Sequence, residues 1–249
     1  AGGDLRLVSG SPAQARHHMK QRRSPFRQSP AQDSIPDRLY HSQQVRGRES
    51  VLSAIANAES ESSVLLAPEE WSVSKPFSID KSIGISGDRS KIIATMGAVT
   101  SASSPFISIT ANNVTLSGLR IHSDLPTGVA IFIDADYVQI VNCIISGFYT
   151  AIKVNSSSYV RIENNSLLSF TGTGIEGVSS LGGRYSGNLI TNGAGNEIGL
   201  DSGSRGNLIV NNIVPGGSIS YVNTGSKGNI PDTAAIAAYS NIAASISVS

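Results

Sequence analysis

The sequence holds a single cysteine, Cys143, which excludes an intrachain disulfide and any metal cluster built on cysteine. It has no run approaching the 18 apolar residues of a membrane helix, so no membrane partner is expected. No hydrophobic leader follows Ala1, so nothing in the sequence points to export by that route. Aromatic residues make up only 6% of the chain, and Trp71, Phe106, Phe132 and Phe148 are too scattered to read as a sugar-stacking platform. His122 is the one histidine of the repeat region described below and has no Cys, His or acid cluster at ligand spacing; no metal and no cofactor are expected. Charged residues are also few, at 15%, whereas glycine contributes 25 residues. That balance suits short strands joined by tight turns, where positive φ is frequent.

The net charge of +1 conceals two halves of opposite sign. Residues 1–48 carry nine Lys and Arg against three Asp, a net +6, and the remainder carries ten against fifteen Asp and Glu, a net −5. The first 48 residues are rich in Pro, Gln, Ser and Arg, with isolated apolar residues that follow neither a period of 2 nor one of 3.6. Such a segment buries too little apolar area to offset a backbone entropy of roughly 1–2 kcal/mol per residue. It reads as an extended basic arm that needs a partner. Arg16, Lys20, Arg22, Arg23, Phe26, Arg27, Arg38, Leu39 and Tyr40 are its candidate partner-binding residues. The charges can follow an acidic protein surface while Phe26, Leu39 and Tyr40 anchor, and protein is favoured over nucleic acid or an inert tail.

Residues 49–60 place Val51, Leu52, Ile55 and Ala58 on one helical face, with Glu49 at the favourable end. This predicts a short capping helix over an otherwise open hydrophobic end. A repeat follows. Val114, Val138 and Val160 recur at spacings of 24 and 22, and Leu116, Ile140 and Ile162 repeat those spacings two residues later. Ile107, Ile131, Ile152, Ile175 and Ile198 form a further column at intervals of 24, 21, 23 and 23. Each repeat holds two or three short alternating strands separated by polar turns. Residues 96–105 read as a loop inserted between coils.

A period of 22–24 with such strands predicts a single-stranded right-handed parallel β-helix, all-β, over residues 61–230. Asn142, Asn164, Asn188 and Asn212 recur near the second turn, where asparagine tolerates left-handed geometry and stacked amides can satisfy one another between coils. Tyr137 and Tyr159, 22 apart beside inward valines, should face outward, either as a binding ladder or as a stacked pair. Cys143 reads as a small core residue. Residues 231–249 offer Asp232 as a helix N-cap and then a last alternating strand, a tail that caps its own chain or completes a neighbour's sheet.

The stretch from Glu49 to Asp88, with its helix, a first strand ending at Ala67–Pro68 and the run Lys75–Gly87, resembles the opening of the pectate-lyase-like right-handed β-helix family. The resemblance covers about residues 49–230. It implies the fold but not one function, since this fold carries lyases, hydrolases, adhesins and phage tailspikes. The Gly-His-Gly and Arg-Ile-Lys segments of its hydrolases do not occur, and Arg161-Ile162-Glu163 is the nearest approach. Arg120, Arg161, Arg184 and Arg205 are present, but no three acids stand at positions matching the calcium site of its lyases.

Glycan hydrolysis requires two carboxyl groups about 5–5.5 Å or 6.5–9.5 Å apart. Asp134 and Asp201 share a column but lie three coils, about 14 Å, apart. Asp134 with Asp136, on one face of a strand if it stays extended, and Glu163 with Glu176, in neighbouring coils, are the remaining catalytic candidates. The resemblance therefore points to a non-enzymatic structural protein of a bacteriophage virion, a capsid decoration or tail subunit. On that reading the basic arm binds capsid or tail proteins, and the protein is a homo-oligomer, with a trimer among the forms. The alternative is a tailspike-like protein that binds or degrades a host surface glycan as a polysaccharide hydrolase or lyase.

Overall fold

The computed structural model describes residues 42–45, 50–88, 90–95, 97–191, 193, 197–221, 230–231 and 242–248. The arm residues from Arg16 to Tyr40, Glu49 and Asp232 lie outside the described residues. Within them the chain is all-β apart from one N-terminal helix and winds as a right-handed parallel β-helix.

That helix is Val51–Asn57, opened by Ser50, whose hydroxyl accepts the Ser53 N–H at 3.0 Å. It buries Val51, Ala54 and Ile55, with Ala58 just beyond. The apolar face is therefore turned slightly from the expected one, because Ala54 takes the place assigned to the half-buried Leu52. At the other end, the Lys81 ammonium donates to the carbonyls of Ala56 and Ala58 at 2.6 and 3.0 Å. It satisfies free carbonyls of the last turn and ties the helix to the first coils.

Each coil of the solenoid contributes up to three strands, and every strand pairing is parallel. The first sheet stacks nine strands, among them Gly84–Ser86, Thr115–Ser117, Gln139–Val141, Arg161–Glu163 and Arg184–Ser186. Its first strand, Ser42–Val45, pairs with Ser63–Leu66, so the chain joins the solenoid before residue 48, where the arm was expected to end. The second sheet includes Arg120–Ser123, Ile144–Ser146 and Ser166–Leu168, and the third Pro105–Ile109, Val129–Ile133 and Thr150–Asn155. Near the C-terminal end the strand Ile213–Tyr221 runs through both, pairing with Leu189 and with Ile198–Leu200, and joins them into one path. Strand Ile242–Val248 pairs with Ile213–Tyr221 of the same chain.

The columns read from the spacing are registered neighbours. Ile107, Ile131, Ile152, Ile175 and Ile198 pair in succession, as do Leu116, Ile140 and Ile162. Val114, Val138 and Val160 are all fully buried just before the first-sheet strands. β-branched side chains fill this narrow interior, where strands of adjacent coils lie about 4.8 Å apart. Phe106 and Phe148 stack inside it with centroids 5.8 Å apart. Burial pushes the Cys143 thiol up to about 11 and the Tyr185 phenol to about 12, although Ser180 hydrogen-bonds that phenol and lowers it somewhat.

The asparagines fall in two columns rather than one. Gly118, Asn142, Asn164, Gly187 and Asn211 all have φ between +55° and +68°, at the corner between the first and second sheets. One residue later stand Cys143, Asn165, Asn188 and Asn212, and the three asparagines are buried. Asn165 Nδ2 donates to Asn188 Oδ1 at 3.0 Å, and Asn188 Nδ2 to Asn212 Oδ1 at 2.9 Å. Each Oδ1 also accepts the backbone N–H of the preceding coil, from Cys143, Asn165 and Asn188 in turn. Asn142 and Asn164 supply left-handed turns; Asn165, Asn188 and Asn212 form the amide ladder.

Candidate functional site

At the corner between the third and first sheets another left-handed column runs Asn113, Tyr137, Tyr159, Gly182 and Gly206, with φ of 59°, 58°, 57°, 60° and 67°. Backbone bonds fix it: Asn113, Tyr137, Tyr159 and Gly182 donate their N–H to the carbonyls of Asp136, Ser158, Leu181 and Arg205. Glycine and asparagine adopt this conformation with least strain, whereas a side chain such as tyrosine costs roughly 1–2 kcal/mol there. Tyr137 and Tyr159 nevertheless occupy it. Their rings stack with centroids 5.2 Å apart and planes 14° off parallel, and the residues remain 51% and 56% exposed. Gly182 continues the column without a side chain, and a Cβ there would come within 3.0 Å of the Tyr159 ring. The aromatic stack thus spans two coils, and Gly182 lies against the Tyr159 ring on its C-terminal side.

Two residues further along each first-sheet strand the same outer face carries Gln139, Arg161 and Arg184 in register. Two adjacent guanidinium groups repel unless an acid intervenes. Glu163 does so: its carboxylate accepts Arg161 Nη2 at 3.0 Å, Arg184 Nε at 2.7 Å and the Ser186 hydroxyl at 3.2 Å. Its side chain is 14% exposed, against 51% and 47% for the arginines. The cluster carries one net positive charge.

Each of the candidate acids makes a structural contact of its own. The strand expected to hold Asp134 and Asp136 ends at Ile133, so both lie in the following turn. Asp134 accepts the Asn155 amide at 3.1 Å, and Asp136 accepts the Ser158 N–H at 2.6 Å, bracing adjacent coils. Glu176 is paired with Lys153 at 2.9 Å on the third sheet, away from the first-sheet strand that carries Glu163. Asp201 is likewise a turn residue. Partial burial alone would raise its carboxyl, but the N–H groups of Ser179, Ser204 and Gly203 and the Ser204 hydroxyl hold it below the ordinary value. Among the described residues no group of three His, Cys, Asp or Glu could hold a metal ion.

The 22-residue spacing of the tyrosines showed that their rings would lie on one outer column. Their left-handed backbone and the ion pairs of Glu163 were not read from it. The glycine of the same column at 182, 23 residues after Tyr159, was the signal for the former.

Residues 84–233 match the right-handed beta helix region family, and the chain belongs to it. Among solved structures, the crystal structure of pectate lyase Pel9A is similar over 71% of this chain and 51% of its own, with 11% identity and a TM-score of 0.48. The chain thus spans about half the length of that protein. No curated protein matches the sequence.

Proposed function

We propose that this β-helix is a glycan-binding protein whose binding face is the Tyr137–Tyr159 platform with Arg161 and Arg184 beside it. The observation that carries the reading is the pair of exposed, near-parallel tyrosine rings on backbone positions that suit glycine or asparagine better. The exposed edges and hydroxyls of such a stack meet the C–H groups and hydroxyls of sugar rings, and half-exposed guanidinium groups donate to hydroxyls and carboxylates. The carboxylates at Asp134, Asp136, Glu163 and Glu176 each already serve a structural contact, which favours binding over cleavage.

Titration of the protein with a panel of neutral and acidic oligosaccharides, followed by NMR or calorimetry, tests the proposal. Binding should be found and should weaken about fivefold in Tyr159→Ala and Tyr137→Ala, since each aromatic contact is worth on the order of 1 kcal/mol. Binding unaffected by both substitutions would overturn the assignment of the face.

A second reading, a structural virion subunit held by a basic arm to capsid or tail proteins, is favoured by the +6 charge of residues 1–48 against −5 elsewhere. A chain beginning at Ser42 should then no longer co-purify with particles; retention would sink that reading.

A further inference from the structure

On the second sheet, rather than at the tyrosine corner between the third and first sheets, three side chains form a hydrogen-bonded relay. His122 and Ser146 are registered neighbours on adjacent strands, both facing outward. His122 Nδ1 lies 2.9 Å from Ser146 Oγ, and His122 Nε2 lies 3.0 Å from Asp124 Oδ1. A carboxylate can only accept, so in the neutral imidazole Nε2 carries the proton and Nδ1 is the acceptor for the serine hydroxyl. That is the protonation state a general base needs.

The surroundings hold this geometry. Ser123, buried between His122 and Asp124, ties the turn by donating its hydroxyl to the Leu125 carbonyl at 2.9 Å and accepting the Leu125 N–H at 3.2 Å. Gly147, at φ +80°, leaves open the space next to the imidazole: a Cβ there would stand 3.4 Å from His122 Cε1 and collide with the Ser123 carbonyl. Half-buried Ile93 and Leu168 continue the His122–Ser146 column on either side. Arg120 lies two residues before His122 on the same outer face.

We propose that Ser146, His122 and Asp124 form an acyl-transfer centre that hydrolyses short-chain carboxylic esters. Ser146 Oγ attacks the ester carbonyl carbon while its proton passes to His122 Nδ1, and Asp124 accepts from Nε2–H of the resulting imidazolium. The C–O bond to the alcohol breaks, and the leaving alkoxide takes the proton from His122. Water then attacks the acyl-serine, giving one proton to His122 and from there to Ser146 Oγ, and the carboxylic acid leaves. Half-buried Leu168, the neighbour of Ser146 on the next coil, offers an apolar contact for a short acyl chain. The reaction needs no co-reactant but water and is independent of the glycan reading.

The test is labelling of the whole chain with a fluorophosphonate probe, mapped by mass spectrometry, together with hydrolysis of p-nitrophenyl acetate. Ser146 should carry the label, and turnover should fall about 10²-fold or more in Ser146→Ala and His122→Gln. Asp124→Asn should slow turnover while leaving Ser146 present, a readout that a merely structural carboxylate would not move. Circular dichroism identifies any variant that fails to fold, in which case labelling of the unmodified chain decides. No label on Ser146, or esterase activity equal in the unmodified chain and Ser146→Ala, would overturn the proposal.

Discussion

Replacing Asn188 by leucine tests the amide ladder where it is most connected. Asn188 Oδ1 accepts from both the backbone N–H and the side-chain amide of Asn165, and Asn188 Nδ2 donates to the Ile162 carbonyl at 2.8 Å and to Asn212. The residue is fully buried, so water cannot replace these bonds. Leucine is comparable in bulk but leaves two donors of Asn165 and the Ile162 bond without a partner. At about 1–3 kcal/mol for each orphaned buried group, partly offset by added apolar burial, the loss comes to about 3–6 kcal/mol. Guanidinium denaturation reads it in two ways. Far-UV circular dichroism follows the whole solenoid, while the single tryptophan, Trp71, reports on the N-terminal coils. The dichroism midpoint should fall in Asn188→Leu. If coils couple mainly to neighbours, the Trp71 transition should fall less. Asn142→Gly, in the exposed left-handed column one residue before Cys143, is the contrasting substitution and should stay within about 0.5 kcal/mol. A loss below about 1 kcal/mol for Asn188→Leu would refute the reasoning that the ladder holds these coils together.

Other outcomes follow from burial and backbone geometry. The Tyr185 phenol and Cys143 thiol titrate near 10 and 9 when unfolded, and near 12 and 11 in the folded chain. Between those values the unfolded chain has released protons that the folded chain still holds. Stability is therefore intact below about pH 9 and declines by about 2–3 kcal/mol per group as pH rises toward 12, measurable by denaturation at stepped pH. Tyr185→Phe should flatten the upper part of that decline. Cys143 should react with a thiol reagent at neutral pH only at the rate of unfolding; fast labelling of the native protein would contradict its burial. Gly147→Ala must relieve both a positive φ and a collision with the Ser123 carbonyl, and is expected to cost about 2–4 kcal/mol by thermal or chemical denaturation.

The solenoid was legible because inward residues recur at the coil period and nothing else in the chain competes with that signal. Ile107 to Ile198 could be placed in register by counting alone. Asparagine was harder, because it serves two adjacent columns. Glycine replaces it at 118 and 187 in the left-handed column, and Cys143 replaces it in the ladder, so a coil that varies between 21 and 24 residues let Asn142 and Asn164 be merged with Asn188 and Asn212. The setting of Asp134 and Asp136 was hard to place for a related reason: the alternation of Asp134, Ala135 and Asp136 outlasts the strand, which ends at Ile133. The Ser146–His122 contact sits at a 24-residue separation and was in principle countable. Its significance depends on Asp124 reaching the second nitrogen across a turn whose path the sequence does not specify.

The strand Ile213–Tyr221 has a mechanical consequence. Upstream, each coil is broken into short strands by turns, so tension can strip it one coil at a time, freeing 22–24 residues, about 75–85 Å of extended chain, per event. Near the C-terminal end the second and third sheets are linked by one continuous strand, and Ile242–Val248 pairs along it. Pulling there loads two sheets together in shear, so the C-terminal coils form a grip that resists force longer than the rod they close.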